Sequence, residues 1–244
     1  MTVNHYTNNP KRPMSRLLSV TIPVVVLACQ AIGIPAALCT PQFAPLSTAT
    51  YSGDSQLPFW REEEAGRWGG AGWVGWRNDG DRLERVQFDV RPRPKSDAND
   101  EDEVTVVTTP EVNFAVRCVP EITPGPILNA RIQEHDLAYH GPLHIALGTR
   151  KYQLQLDGKD PSLADARVIL RDGRRSQVLY SADGFVDEPH FQIVWAGDLD
   201  RDGKLDLVVN IHRKYSWHPY RLLLSSKAVG KSLVGEAALF ETGD

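Results

Sequence analysis

The stretch Asp198-Leu199-Asp200-Arg201-Asp202-Gly203-Lys204-Leu205-Asp206 sets four aspartates around one glycine, and its flanks decide the fold. Downstream, Leu205, Leu207, Val209 and Ile211 alternate with Asp206, Val208, Asn210 and His212. Upstream, Phe191, Ile193 and Trp195 alternate in the same way. A period of two residues is the pattern of a strand with two unlike faces. The acidic loop therefore joins two strands, not two helices.

The loop has the chemistry of a calcium site. Calcium is a hard cation that takes about 6–8 oxygen ligands in adaptable geometry. Asp198, Asp200 and Asp202 occupy loop positions 1, 3 and 5, and Gly203 at position 6 permits a sharp turn. Lys204 at position 7 offers its carbonyl, and Asp206 at position 9 can ligate directly or through water. An EF-hand also needs a bidentate glutamate at position 12. That position is Val209, which excludes the helix–loop–helix form. Carboxylates this close repel one another without a cation. The alternative is a solvated Asp-Gly hairpin that holds no metal.

Ala196-Gly197-Asp198-Leu199-Asp200-Arg201-Asp202-Gly203-Lys204-Leu205-Asp206-Leu207-Val208-Val209 resembles the calcium loop of FG-GAP repeats, the blades of integrin-α-type β-propellers. The resemblance implies calcium held between two strands by Asp198, Asp200, Asp202, Asp206 and the Lys204 carbonyl. It extends over one loop, and the chain is too short for a seven-bladed propeller. The tail from Tyr220 to Phe240 is similar to the C-terminal part of bacterial envelope proteins that carry one such loop. That likeness implies a secreted protein or lipoprotein but no particular activity.

The start of the chain points outward too. Lys11, Arg12 and Arg16 precede an apolar run from Leu17 to Ala28, the layout of a signal peptide. Val26-Leu27-Ala28-Cys29 resembles a lipobox with Cys29 as the acylated residue. Cleavage after Gly33 without lipid, or an uncleaved anchor over Leu17 to Leu38, are the alternatives. Each exports the domain to the periplasm or outer envelope and leaves the membrane contacted only through a lipid or N-terminal anchor. Cys39 and Cys118 then remain as a pair able to form a disulfide in an oxidising compartment. The expected division is a signal peptide at 1–28, a Pro/Ser/Thr-rich tether at 29–57, and a β-rich domain at 58–244 with the calcium loop at 198–206.

Within that domain, strand patterns recur at Val86–Val90, Val104–Thr108, Phe114–Val119, Tyr152–Leu156, Val168–Leu170, Val178–Tyr180 and Tyr220–Leu224. Asp-Gly pairs begin at Asp79, Asp157, Asp172, Asp183 and Asp202, and Asp-Gly between alternating runs signals a hairpin. The expectation is a mainly β fold, an antiparallel sandwich or barrel-like sheet with little helix. Ile127 to Leu137 is the one helix candidate. Trp60, Trp68, Trp73 and Trp76 sit among glycines, either filling a β core or presenting indoles that stack on sugars.

Lysine and arginine number 27 against 31 acidic side chains, a net charge of −4, which leaves no basic footprint for nucleic acid. Gly-x-Ser-x-Gly, HExxH and phosphate-cradling glycine loops are absent from the sequence. Glu134, His135, Asp136, His140 and His144 cluster in sequence, as do His212 and His218. The leading expectation is a non-enzymatic exported domain with a structural calcium, acting by contact with an envelope or extracellular protein. The alternatives are a carbohydrate-binding module using Trp60 to Trp76, and a hydrolase assembled from Glu62–Glu64 and the His135 region.

Overall fold

The computed structural model describes residues 39–48, 55–59, 68–77, 80–92, 104–109, 112–132, 141–158, 166–182, 190–212 and 217–243. Among these, every strand pairing is antiparallel and there is no α-helix. The strands are β1 (Gln42–Pro45), β2 (Ser47–Thr48), β3 (Ser55–Phe59), β4 (Gly70–Trp76), β5 (Arg82–Pro92), β6 (Val104–Thr109), β7 (Phe114–Arg117), β8 (Gly125–Pro126) and β9 (Leu128–Asn129). They continue with β10 (Arg131–Ile132), β11 (Leu143–Leu147), β12 (Arg150–Asp157), β13 (Arg167–Asp172), β14 (Arg175–Ser181), β15 (His190–Asp198), β16 (Asp206–His212), β17 (Trp217–Leu224) and β18 (Gly235–Gly243).

Three open sheets result. The first runs β1-β7-β4-β5-β6-β3-β2 with β8 added to β5, the second β10-β11-β12-β13-β14, and the third β18-β17-β16-β15-β9. None closes on itself, so the architecture is a stacked sandwich and not a barrel. The third sheet is the middle layer. Its Trp195, Val208, Leu222, Leu224 and Phe240 join one core with Trp73, Trp76, Phe88 and Phe114 of the first sheet. Its Ile193, Leu207, Val209, Ile211 and Leu223 join another with Leu154, Leu156, Val168 and Leu170 of the second. Adjacent side chains of a strand point to opposite faces. All seven residues of β16 are therefore buried.

Turn chemistry explains the tight hairpins of the second sheet. Leu147 pairs with Arg150 and Asp172 with Arg175, leaving two-residue connections. Each has a glycine of positive φ first, Gly148 at +56° and Gly173 at +56°, as the primed turns require.

Two expectations change. Residues 42–57, read as tether, instead supply β1, β2 and the start of β3. Phe43 and Ala44 are fully buried, because β1 pairs with β7 in register Phe43 to Val116 and Ala44 to Ala115. The prolines and serines that suggested a tether are compatible with short edge strands. Second, Ile127–Ile132, the first half of the helix candidate, is extended. Its backbone is committed elsewhere: the Ile127 N–H bonds the Asp81 carbonyl and the Ala130 N–H that of Ala196. Residues 133–137 lie outside the described residues, as does the expected signal segment 1–28 with Cys29.

The described tryptophans fill the core, the first of the two readings of that stretch. Trp68, Trp73 and Trp76 are all buried. Trp73 stacks on Phe88 with centroids 4.3 Å apart, and Trp76 on Phe114 at 5.3 Å. The Arg117 guanidinium covers Trp73 at 4.6 Å. Indoles committed this way present no face to a sugar ring, which removes these three from the carbohydrate reading. Trp60 lies outside the described residues.

Cys39 and Cys118 form the disulfide, closing a separation of 79 residues. Among the described residues no helix is long and apolar enough to cross a membrane.

Candidate metal centre

The aspartate loop joins β15 to β16 in the middle sheet, and its two leucines hold it in place. Leu199 enters the core shared with the first sheet, and Leu205 the core shared with the second. Both are essentially unexposed. With the apolar side chains turned to opposite cores, Asp198, Asp200 and Asp206 are left to face one another. Gly203 takes φ +78°, the left-handed conformation the turn needs. Gly197, before the loop, is constrained by crowding. A Cβ there would meet the Leu128 carbonyl and the Trp195 ring at 2.4 Å.

Asp198, Asp200 and Asp206 each bring one carboxylate oxygen within 4.8 Å of the others, close enough together to hold one metal ion. Asp206 is wholly buried and organises the loop. Its Oδ2 accepts from the Leu199 N–H at 2.7 Å and the Asp200 N–H at 3.3 Å. Its Oδ1 accepts from the Ser225 N–H at 2.7 Å, at the start of the short 3-10 turn Ser225–Lys227. Asp198 Oδ2 accepts from the Gly203 N–H at 3.0 Å, and Asp200 Oδ1 from the Asp202 N–H at 3.2 Å.

Two oxygens are left over. Asp198 Oδ1 and Asp200 Oδ2 are buried and have no hydrogen-bond partner. Asp198 is only 8 % exposed, so water does not readily reach it. A buried acceptor without a donor costs roughly 1–3 kcal/mol, more if charged. The electrostatics agree. Burial pushes Asp206 up to about 7, against the pull of its bonds from Ser225, Leu199 and Asp200. Burial also raises Asp198, and the carboxylates of Asp200 and Asp202 add to the rise. A divalent ion at the shared point would satisfy both orphaned oxygens and reverse this repulsion.

Of the four aspartates expected as ligands, Asp198, Asp200 and Asp206 are brought together, and Asp202 is turned to Lys204. Asp202 Oδ1 accepts from the Lys204 N–H and Oδ2 from the Lys204 ammonium, both at 2.8 Å. Burial opposes its charge, but the bonds from Lys204 outweigh that and hold Asp202 below the usual carboxylate range. Lys204 is exposed, its ammonium directed at Asp202.

Sequence reasoning missed Arg201 as a structural residue. It lies at φ +67°, rare without glycine. Its guanidinium donates to the Pro126 carbonyl, the Thr123 carbonyl and Thr123 Oγ1 at 2.6–2.9 Å. No local signal foretells partners 75–78 residues earlier. Among the histidines that cluster in sequence, His144 is exposed on β11 and His212 is buried in β16. Glu62–Glu64, Glu134, His135, Asp136 and His140 lie outside the described residues, as does the side chain of His218. No protein-family model, curated protein or solved structure matches this chain.

Proposed function

We propose that the protein is a non-catalytic, exported β domain that binds one calcium ion as a structural element and acts by contact with another envelope or extracellular protein. One observation carries the metal assignment: two partnerless, buried carboxylate oxygens, on Asp198 and Asp200, in a cluster completed by Asp206. An all-oxygen set of hard anionic donors suits calcium or magnesium over zinc. The short Asp-x-Asp-x-Asp-Gly spacing and the likeness to FG-GAP loops favour calcium. Asp202 and the Lys204 carbonyl complete the ligand set once the ion competes with the Lys204 ammonium for Asp202.

Export is supported by the Cys39–Cys118 disulfide, since such bonds persist in oxidising compartments. The basic and apolar start of the chain supports it independently, with Cys29 the candidate for lipid attachment.

The test is thermal unfolding with calcium and with chelator. A ligand of the folded state alone stabilises by about 2.7 kcal/mol at a hundredfold excess over Kd. We expect a rise of several degrees in Tm, abolished in Asp200→Ala. An unchanged melt overturns the metal assignment. Pull-down of the mature domain from envelope extract, with and without calcium, tests the contact role.

A further inference from the structure

The strongest unexplained feature is the segment beneath Arg201. Within eight residues the chain joins all three sheets. Gly125–Pro126 pairs with β5 of the first, Leu128–Asn129 with β15 of the third, and Arg131–Ile132 with β11 of the second. The pairing partner of Leu128 is Asp198 itself, and that of Asn129 is Gly197. The Asn129 side chain adds bonds to the Trp195 indole and the Gly80 carbonyl, both at 3.0 Å.

Two arms reach this stitch from the aspartate loop. The first is Arg201, whose guanidinium holds Thr123 and Pro126 through three hydrogen bonds. It lies against Gly125, where a Cβ would come within 2.9 Å of Nη2. The second passes through Asp206, which holds the Ser225 N–H. Lys227, in the same turn, pairs with Glu121 at 2.6 Å. Both arms end on residues 121–126, and both begin on the cluster that would hold the ion.

The geometry points to a cation-set latch: occupancy of the Asp198–Asp200–Asp206 cluster fixes the grip of Arg201 on Thr123–Pro126 and so the fastening of the three sheets to one another. This rests on the metal site proposed above. The physical link is the backbone at Arg201. A non-glycine residue stays in the left-handed region only while its surroundings over-determine it. Without an ion, the carboxylates on both sides of Arg201 repel and the loop has a reason to relax. With an ion, Asp198 and Asp200 are drawn to one point and the guanidinium is aimed at the stitch. The outcome is a domain whose layers are firmly joined where calcium is plentiful and loosened where it is scarce.

Amide hydrogen exchange with calcium or chelator reads this directly, together with calcorimetric-grade binding by isothermal titration. Gly125, Ile127 and Leu128 are the reporters, and the β13–β14 hairpin around Gly173 is the internal reference. Calcium should slow the reporters about tenfold while leaving the reference unchanged, a coupling of ordinary size. Arg201→Gly keeps the left-handed backbone and deletes the grip. It should lose the calcium-dependent protection and, by reciprocity, bind calcium more weakly by the same factor. Thr123→Val, which removes one acceptor, should lose part of both, and it decides the matter together with the wild-type comparison if Arg201→Gly does not fold. Calcium binding with no change at the reporters, or an Arg201→Gly response equal to wild type, overturns the latch and leaves the metal site standing. Absence of any binding overturns both.

Discussion

The second and third sheets are built from similar strands and differ in what covers them. In β12 the inward residues Tyr152, Leu154 and Leu156 are buried, while Gln153 and Gln155 between them are half-buried. In β16, Leu207 and Val209 face one core, Val208 the other, and Asn210 and His212 are buried as well. Coverage of a strand's faces, and not the strand itself, decides whether alternation in sequence means alternation in exposure. Their turns differ accordingly. Asp172-Gly173 is a surface hairpin whose carboxylate is answered by Arg175. Asp202-Gly203 is the exposed tip of a loop whose ends, Asp198-Leu199 and Leu205-Asp206, are buried, and there three neighbouring carboxylates, Asp198, Asp200 and Asp206, must answer one another.

The largest effect that tests this contrast is a charge placed by parity. Val208→Lys and Val209→Lys should each cost more than about 4 kcal/mol or prevent folding, because both faces of β16 bury an unpaired charge. In β12 only one parity should matter: Leu154→Lys is as harmful, whereas Gln155→Lys costs under about 1 kcal/mol in urea unfolding. Tolerance of either β16 variant would mean that the face it occupies is open.

Next is the disulfide. Replacing Cys39 and Cys118 with serine should cost roughly 4 kcal/mol in the loop-closure account for a separation near 80 residues, read by chemical denaturation.

The two turns give the third comparison. Asp206→Asn puts an amide where three backbone N–H groups need acceptors, and should cost roughly 2–3 kcal/mol even without calcium. Asp172→Asn loses only a surface ion pair, worth about 0.5 kcal/mol or less. Equal losses would remove the distinction between the loops.

The last is a pH effect. Asp206 titrates at about 7 in the metal-free fold, above its unfolded value. Its contribution is therefore fully present below the unfolded carboxylate pKa near 3.9 and is lost as pH rises through about 7. Calcium replaces the proton, so the stabilisation by calcium should grow with pH across that window. Melts at pH 5 and pH 7.5, with calcium and with chelator, read the difference.

Much of this was legible in the residues. Alternation around Phe191–Trp195 and Leu205–Ile211 placed β15 and β16, and Gly203 marked the turn. The nearness of Asp198, Asp200 and Asp206 was legible from spacing because residues of one short loop are local. What stayed hidden was long-range. The polar Asn210 and His212 alternate with apolar residues in sequence, yet both are buried. Ile127 to Leu137 was the helix candidate, yet the third and second sheets claim the backbone of Leu128–Asn129 and Arg131–Ile132. Gly148 makes a hairpin without the aspartate that would have announced it.

The bond between Cys39 and Cys118 has a mechanical meaning. Cys39 stands just before β1, an edge strand held by four residues of pairing, and Cys118 directly follows β7 in the sheet interior. Tension arriving along the chain ahead of Cys39 passes through the sulfurs into β7 and never peels β1 from its neighbour. A domain tugged by its leading end would thus carry the load on a covalent bond while the stack of sheets behind it feels none of the strain at its weakest rim.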